Sequence, residues 1–413
     1  MFSFSAYLNE SANEEKLTHL EHAEDHPINA GEEGFKHAFN TLQETHRALQ
    51  GKKSSVSLST KYDGSPSVIF GHHPETGRFF VASKSVFNKN PKLNYTESDI
   101  QQNHGHSPGL VAKLTAALHH LQKVTPNRGV YQGDIMHSGV KSKSNPTGDV
   151  ESSAGSVHFK PNTITYSAKN GTPEAAKTKA AKIGVAVHTA YQGNKLEDMK
   201  AQYNADISNF NKHSDVHMID TSFKPSAAHY TPDAQKTFEG HMKKAVEANN
   251  KLKDYSHIEG ANDNHKEHLK TYINQTVRDD STPSVAGYKA HVANKLQKEV
   301  DKVKTDKAKA AKTETLNKAT DHIDNHTEEF KTTFDIHKHL RNAKNVLNNT
   351  LGAADYAFHH SINGKASKPE GHVAVLNNRP TKLVKRENDE VTGESGFASA
   401  NFRNFRNQAT RSK

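Results

Sequence analysis

The chain has 413 residues, enough for two or three domains, and its composition is polar, with 33% hydrophobic residues, no Trp and a mean hydropathy of −0.87. The absence of cysteine excludes disulfides, thiolate zinc sites and cysteine nucleophiles. The formal charge of +9 is compatible with a polyanionic partner but does not define one. No apolar run approaches the roughly 18 residues of a membrane span, and the first residues do not resemble a secretory signal. We therefore expect a cytoplasmic protein without a membrane partner.

The 29 histidines are the other unusual feature of the composition. Many occur as adjacent pairs, such as His72–His73 and His359–His360. Neighbouring side chains on a helix or strand point in different directions, so such pairs rarely bind one ion. We expect surface histidines and not a zinc site.

The N-terminal half of the chain alternates between helical and strand patterns. Apolar residues at helical spacing predict a helix over residues 16–49 and another over Leu110–Leu121. Alternating or apolar runs bounded by turn residues predict strands, two of which form a hairpin. The expected strands are Val56–Ser59, Ser67–Phe70, Phe79–Ala82, Gly129–Tyr131, Thr163–Tyr166 and Ile183–Val187.

The pattern changes over residues 232–350, where narrow apolar stripes at helical spacing are flanked by charged and polar residues. Such stripes are typical of long helices packed in a hairpin or small bundle. Two of these stripes are Phe238, Met242, Ala245 and Leu252, and Tyr288, Val292, Leu296, Val300 and Val303. Strand patterns return at Gly371–Val375 and Thr381–Lys385.

Together these patterns predict an α+β fold, in which an antiparallel-sheet core is interrupted by a large α-helical insertion. The expected order is a leader over residues 1–15, a first part of the core over 16–231, the helical insertion over 232–350, completing strands over 351–390 and a basic tail over 391–413.

The first cluster that suggests chemistry is Lys61–Tyr62–Asp63–Gly64–Ser65, directly after a predicted strand. Covalent nucleotidyl transfer needs an amine nucleophile on a rigid element beside a carboxylate, and Lys61 and Asp63 supply these groups. Gly64 permits a tight turn and a close approach of phosphates. The same short string is also typical of a surface β-turn, so the functional interpretation depends on motifs elsewhere in the chain.

Four further motifs follow in chain order: Ser83–Lys84–Ser85, Tyr131–Gln132–Gly133–Asp134, Glu370–Gly371–His372–Val373 and Lys382–Leu383–Val384–Lys385. With them the chain resembles the nucleotidyltransferase superfamily of ATP-dependent DNA ligases, RNA ligases and mRNA-capping enzymes, and it is most similar to the phage-type RNA ligases. That family has Lys-x-Asp-Gly-Ser at the nucleophile, then a basic motif, Gly-Glu, Glu-Gly-x-Val and a pair of lysines. The resemblance covers residues 50–195 and 360–390.

The resemblance implies a ligase-type adenylation core that uses ATP and Mg²⁺. It implies that Lys61 is adenylated, while Lys385 and Lys382 stabilise the α-phosphate and the departing pyrophosphate. Lys385 is the first choice for the α-phosphate because it is the last residue of its motif. The nucleotide-binding residues that it implies are Thr60, Asp63, Gly64, Lys84, Asp134 and Glu370, and Glu370 would also hold Mg²⁺ through water.

The chain departs from the family pattern in three places. Asp134 stands where the family has Glu, and Val187 stands where an aromatic side chain usually stacks on the base, so stacking would fall to another side chain such as Tyr166 or Tyr191. Residues 386–413 are too few for the oligonucleotide-binding barrel of DNA ligases and capping enzymes. This favours an RNA-ligase-like arrangement with the helical insertion as its accessory module.

The first residues resemble a processing site. Leu8–Asn9–Glu10 followed by Ser11–Ala12 is similar to the sites cut by the prohead proteases of T-even-like phages. This predicts a tailed-phage protein that is cleaved after Glu10 and packaged in the capsid. The alternative is a frayed amphipathic N-terminus. The expected location is the cytoplasm of an infected bacterial host or the interior of the virion.

The sequence thus predicts an ATP-dependent polynucleotide ligase that joins or repairs nucleic-acid ends, RNA in preference to DNA. Two alternatives stay open. One is a non-catalytic nucleic-acid-binding or virion-internal protein with a relic nucleotide pocket. The other is an enzyme that passes AMP to a protein or a small molecule.

Overall fold

The computed structural model describes residues 20–143, 145–146, 148–259 and 265–386. The expected leader and basic tail lie outside the described residues. Contacts group the described chain into two compact units. Unit 1 comprises residues 57–227 and 352–380, and unit 2 comprises residues 21–56, 228–351 and 381–386.

The strands are short and numbered in chain order. They are β1 (Glu21–His22), β2 (Ser57–Lys61), β3 (Ser67–His72), β4 (Phe79–Ala82), β5 (Val130–His137), β6 (Val150–Ser152), β7 (Ser156–Phe159), β8 (Thr165–Lys169), β9 (Ile183–Gln192), β10 (Lys200–Tyr203), β11 (Val216–Ile219), β12 (His359–Ile362), β13 (Lys365–Ser367), β14 (Gly371–Leu376) and β15 (Arg379–Leu383).

The helices are concentrated in unit 2. They are α1 (His26–Leu49), α2 (Glu97–His104), α3 (Pro108–Leu121), α4 (Pro173–Ala180), α5 (Pro232–Asn249), α6 (Ser256–Glu259), α7 (His265–Asp279), α8 (Val285–Lys302), α9 (Asp306–Asn325) and α10 (Thr327–Leu351). The α+β class with antiparallel sheets is therefore confirmed. Helices α5 to α10 follow one another from Pro232 to Leu351 in the described part of the chain. None of the helices in the described part of the chain is long and apolar enough to span a bilayer.

A sheet with the strand order β10-β9-β5-β3-β4 forms the centre of unit 1, and β11 lies parallel to one end of β9. Both faces of this sheet are apolar. Val68, Phe70 and Ile135 pack toward α3, whereas Ile69 and Val130 pack on the opposite face. Successive side chains of a strand point to opposite faces of the sheet. Because both faces are buried here, every position of Val68–Phe70 on β3 is apolar.

Two further groups of strands complete unit 1. A second antiparallel sheet has the order β13-β12-β8-β7-β6, and the rings of Phe159, Tyr166 and Phe358 pack together in this region. Strand β2 pairs with β14 in an antiparallel register that sets Lys61 opposite Gly371. This register brings the end of β2 to the start of β14.

Unit 2 is built on the apolar stripes that the sequence predicts. Phe238, Met242 and Ala245 are buried on α5, which packs on α10, and Tyr288 and Val292 are buried on α8, which packs on α9. In unit 2, β1 pairs in parallel with Thr381 and Lys382 of β15.

Several local predictions were wrong in their bounds. The first helix begins at His26 and is kinked at Ala30–Gly31, where Gly31 has a φ of +54°. Strand β15 ends at Leu383, so Lys385 lies beyond it. Strand β8 begins at Thr165 and not at Thr163, because the amides of Thr163 and Ile164 bind the Asp63 carboxylate and pair with no strand.

The expectation of surface histidines was also wrong for many positions. His137, His265 and His372 are completely buried, and His360 of the His359–His360 pair is buried as well. Adjacent residues of a strand point to opposite faces, which explains how one member of the pair can be exposed while the other is buried.

Candidate active site

The centre of the candidate site is the contact between Lys61 and Glu370. Lys61 is the last residue of β2, and Glu370 directly precedes β14, so the β2–β14 register brings them together across 309 positions of sequence. Lys61 Nζ lies 2.5 Å from Glu370 Oε2, with 25% and 11% of the two side chains exposed. The amine is therefore held in place but stays accessible from solvent.

The loop after Lys61 is held by hydrogen bonds to other elements of unit 1. Asp63 is buried, and its carboxylate accepts hydrogen bonds from Asn162 Nδ2 and from the amides of Thr163 and Ile164 at 2.7–3.1 Å. The Asp63 amide donates to Tyr166 Oη at 2.7 Å. The sequence predicts that Asp63 binds nucleotide, but its carboxylate instead accepts hydrogen bonds that fix the conformation of the loop.

Gly64 and Ser65 run along the edge of β5. The Ser65 amide donates to the carbonyl of Ile135, and Lys113 Nζ on α3 donates to the carbonyl of Ser65 at 2.8 Å. A Cβ at Gly64 would lie 2.5 Å from Asp134 Cβ, closer than two such atoms can approach. Gly64 therefore permits direct contact between the nucleophile loop and the strand that carries Asp134.

Asp134 lies on the face of the central sheet that is opposite α3, since its neighbour Ile135 packs toward α3. His188 Nε2 on β9 lies 3.8 Å from Asp134 Oδ1. Burial raises the pKa of Asp134, but the neighbouring His188, Lys61 and Ser67 side chains stabilise its charged form, and together they lower the pKa. Asp134 is therefore an anionic hydrogen-bond acceptor at neutral pH.

These contacts place four polar side chains in one region of unit 1, in the order Glu370, Lys61, Asp134 and His188. Lys61 is thereby set between two carboxyl side chains, those of Glu370 and Asp134. Such an arrangement offers one amine nucleophile flanked by carboxylates that can accept protons or hydrogen bonds.

The other predicted residues lie in different surroundings. Thr60 is buried on β2, and its amide donates to the carbonyl of Thr221 at 2.7 Å. Lys84 is exposed at the start of the short helix Lys84–Phe87, whose Phe87 packs on the sheet face that carries Asp134. Lys382 on β15 and the buried Lys385 belong to unit 2.

The two tyrosines suggested for base stacking are both buried. Tyr166 is 1% exposed, and its hydroxyl accepts the hydrogen bond from the Asp63 amide. Tyr191 donates to Gln132 Oε1 at 2.6 Å, and its ring packs on Phe87. Neither ring face is open to a nucleotide, so the stacking prediction was wrong for both.

Sequence reasoning missed the residues that support the site. His188 lies beside Asp134, and Lys113 donates a hydrogen bond to the Ser65 carbonyl. Neither residue belongs to a recognisable motif. Asn162 was missed as well, because its contact with Asp63 depends on how the chain before β8 passes the nucleophile loop. The only sequence signal was that His188 directly follows Val187, the β9 position where the family has an aromatic side chain.

Glu370 offers a single carboxylate to a cation. This fits Mg²⁺, which is usually held by one or two carboxylates together with substrate phosphates and water. Within the described residues, the group of three side chains placed to hold a metal ion lies in unit 2 and consists of Glu24, Asp25 and His337.

The fold and the site thus define a mixed α+β protein with antiparallel sheets and a lysine–carboxylate site. The chain belongs to a family of unknown function, DUF6267, whose family model matches residues 13–405. Neither a curated protein nor a solved structure matches the chain.

Proposed function

We propose that the protein is an ATP-dependent nucleotidyltransferase of the polynucleotide-ligase type that is adenylated at Lys61 and passes AMP to the 5′-phosphate of a nucleic-acid end. The main support is the contact of Lys61 with Glu370, because two motifs 309 positions apart meet at one reactive amine. The packing of Gly64 against Asp134 adds a third motif to the same region.

In the first step, the lone pair of Lys61 Nζ attacks the α-phosphorus of ATP. A P–N bond forms, the bond from the α-phosphorus to the bridging oxygen breaks, and pyrophosphate leaves. The amine must lose its proton to attack, and Glu370 Oε2, at 2.5 Å, is positioned to accept it. Bound Mg²⁺ would supply positive charge that neutralises the triphosphate, and Glu370 would hold it through water.

In the second step, an oxygen of the 5′-phosphate attacks the α-phosphorus, the P–N bond breaks, and Lys61 regains its proton. A 3′-hydroxyl oxygen then attacks the 5′-phosphorus, its proton passes to solvent, and AMP leaves. Asp134 is assigned to the ribose hydroxyls, since its lowered pKa keeps it an acceptor throughout.

The remaining roles are supported by the resemblance alone. They are the phosphate contacts of Lys84, Lys382 and Lys385, the nucleotide contacts of Thr60, and the preference for RNA ends. Cleavage after Glu10 and packaging in a phage capsid also stay predictions, and Glu10 lies outside the described residues.

The test is covalent labelling with ATP that carries radioactive phosphorus in the α-phosphate, in the presence of Mg²⁺. We expect denatured and washed wild-type protein to keep the label, and Lys61→Ala and Lys61→Arg to lose it entirely. Glu370→Gln should slow labelling by roughly 10²-fold or more, the usual effect of removing a proton acceptor. Lys169→Ala, which changes an exposed lysine at the end of β8, is the matched control and should label normally.

The products identify the acceptor. Transfer of label to 5′-phosphorylated RNA supports the proposal. Transfer to DNA alone would show that the substrate is DNA and not RNA. Label on protein-sized or small products indicates a different acceptor. Failure of the wild type to take up label from ATP, GTP or NAD overturns the enzymatic proposal and leaves a relic nucleotide pocket.

A further inference from the structure

The connection between α8 and α9 carries a concentration of positive charge. Residues 298–312 contain six lysines and three acidic residues. The link between the two helices is only three residues long, Val303–Thr305, so the end of α8 and the start of α9 are neighbours. We call the exposed lysines of this connection the lysine tip: Lys298, Lys302, Lys304, Lys307 and Lys309.

The lysines of the tip differ from those beside it in having no ion-pair partner within the part of the chain that the structure describes. Just outside the tip, Lys312 pairs with Glu299 at 2.8 Å, and near the start of α8, Lys289 pairs with Asp324 at 2.5 Å. The two remaining acids of residues 298–312 are Asp301, which accepts from Gln297, and Asp306, the first residue of α9. Residues 298–312 therefore keep a formal surplus of three positive charges, six lysines less three acids.

Helix stability does not explain this charge. The N-terminus of a helix carries a partial positive charge and favours acidic side chains in its first turn. Lys307 and Lys309 instead lie at the second and fourth positions of α9, and Lys304 lies just before it. Asp306 is the acidic residue of that turn, and the lysines beside it repel the partial charge of the helix N-terminus, so helix stability does not account for them.

We infer that the lysine tip is a binding surface for the phosphate backbone of nucleic acid. Helices rise about 1.5 Å per residue, so Lys298 and Lys302 lie about 6 Å apart along α8, a distance that spans about two phosphates of one strand. Lysine contacts of this kind supply affinity and position without reading sequence.

An anionic membrane surface fits the tip less well. Helices that bind membranes combine basic residues with exposed aromatic or large aliphatic side chains on the opposite face. The residue between the two tip lysines on α9 is Ala308, Ala310 and Ala311 follow them, and Val300 on α8 is buried. The tip thus offers charge without an apolar face to insert.

The experiment measures binding of the full-length protein to fluorescent single-stranded RNA, single-stranded DNA and duplex DNA over a range of salt, without ATP. The tip variant replaces its five lysines with glutamine. The matched control replaces the five exposed lysines in and just after α5, where residues 232–254 carry four acids: Lys236, Lys243, Lys244, Lys251 and Lys253. Both variants lose the same net charge, and circular dichroism verifies that both are folded.

We expect the tip variant to bind at least tenfold more weakly at low salt than the control. The slope of log K against log salt should fall by about 0.7–0.9 for each phosphate that the protein no longer neutralises, hence by about 2–4 if three or four lysines bind phosphate. Equally weakened binding by both variants, unchanged binding by both, no binding by the wild type, or binding only to anionic vesicles would each overturn the inference.

The choice of nucleic acid as partner rests on the proposed function, but the two can fail separately. The binding test needs no adenylation, and labelling of Lys61 needs no nucleic acid. The tip variant should label with ATP like the wild type. Labelling without tip-dependent binding would reject only the tip, and tip-dependent binding without labelling would reject only the enzymatic proposal.

Discussion

Gly64 shows how a single residue can decide whether the candidate site forms. A Cβ at this position would lie 2.5 Å from Asp134 Cβ and 2.8 Å from Met136 Sδ, and neither atom is the free end of an exposed side chain. Glycine is thus required at position 64 because the nucleophile loop and β5 approach each other closely. Any side chain at position 64 must displace the nucleophile loop or the end of β5.

We therefore expect Gly64→Ala to destabilise the protein by about 1–3 kcal/mol, the usual cost of overpacking, and to lower adenylation of Lys61 as Asp134 moves. Denaturant unfolding and labelling measure the two effects. Gly109→Ala is the control, since no atom lies within 4 Å of a Cβ built there. Unchanged stability and labelling in Gly64→Ala would contradict the close contact.

At the scale of elements, the segment from β1 to the start of α1 is anchored by a buried ion network in unit 2. Lys344 Nζ on α10 lies 2.7 Å from Glu24 Oε1, and both side chains are fully buried. Arg386 donates to Glu24 and, through two nitrogens, to Asp25 at 2.8–2.9 Å. Arg386, which follows β15 near the end of the described chain, is joined in this way to Glu24 and Asp25 near its beginning.

The network predicts strong energetic coupling between Glu24 and Lys344. Lys344→Met leaves a buried carboxylate with less compensation and should cost about 3–5 kcal/mol, as should Glu24→Gln, which strands the buried ammonium. The double variant should lose clearly less free energy of unfolding than the two single variants together, because it buries neither charge without its partner. Urea unfolding of the four proteins measures the coupling, and additivity within about 0.5 kcal/mol would contradict it.

At the scale of the whole molecule, buried histidines make stability depend on pH. His257 and His265 in unit 2 are buried, and their rings bind the hydroxyls of Thr333 and Tyr288. Burial, followed by the charges of neighbouring histidines, lowers the pKa of His265 to about 4, and burial lowers the pKa of His257 to about 4. In unit 1, burial lowers the pKa of His360 to about 4 in the same way.

A histidine whose pKa is lowered in the folded state stabilises the protein fully above its unfolded pKa of about 6.5. That stability is lost as the pH falls toward 4. Lowering the pH from 7 to 5 should therefore reduce the free energy of unfolding by about 2 kcal/mol for each such histidine. Thermal unfolding midpoints should fall over this range, and His265→Gln should flatten the dependence while the exposed His106→Gln should not. A midpoint independent of pH from 7 to 5 would refute the prediction.

The sequence alone was sufficient for features that depend on local periodicity. The spacing of Phe238, Met242 and Ala245 predicted a helix because a buried stripe repeats about every 3.6 residues, whatever it packs against. Strand β3 was predicted because Val68, Ile69 and Phe70 form an apolar run bounded by turn residues. The α+β class followed from these patterns, and so did the helical region after Pro232.

Only the tertiary structure decided which side chains meet. The register of β2 and β14 puts Lys61 beside Glu370, and the path before β8 turns Asp63 from a candidate ligand into an acceptor of backbone amides. It also buries His265 and Lys344, whose polar character predicts exposure. The physical reason is that periodicity is set by neighbours along the chain, whereas pairing, burial and charge compensation are set by residues far away in sequence.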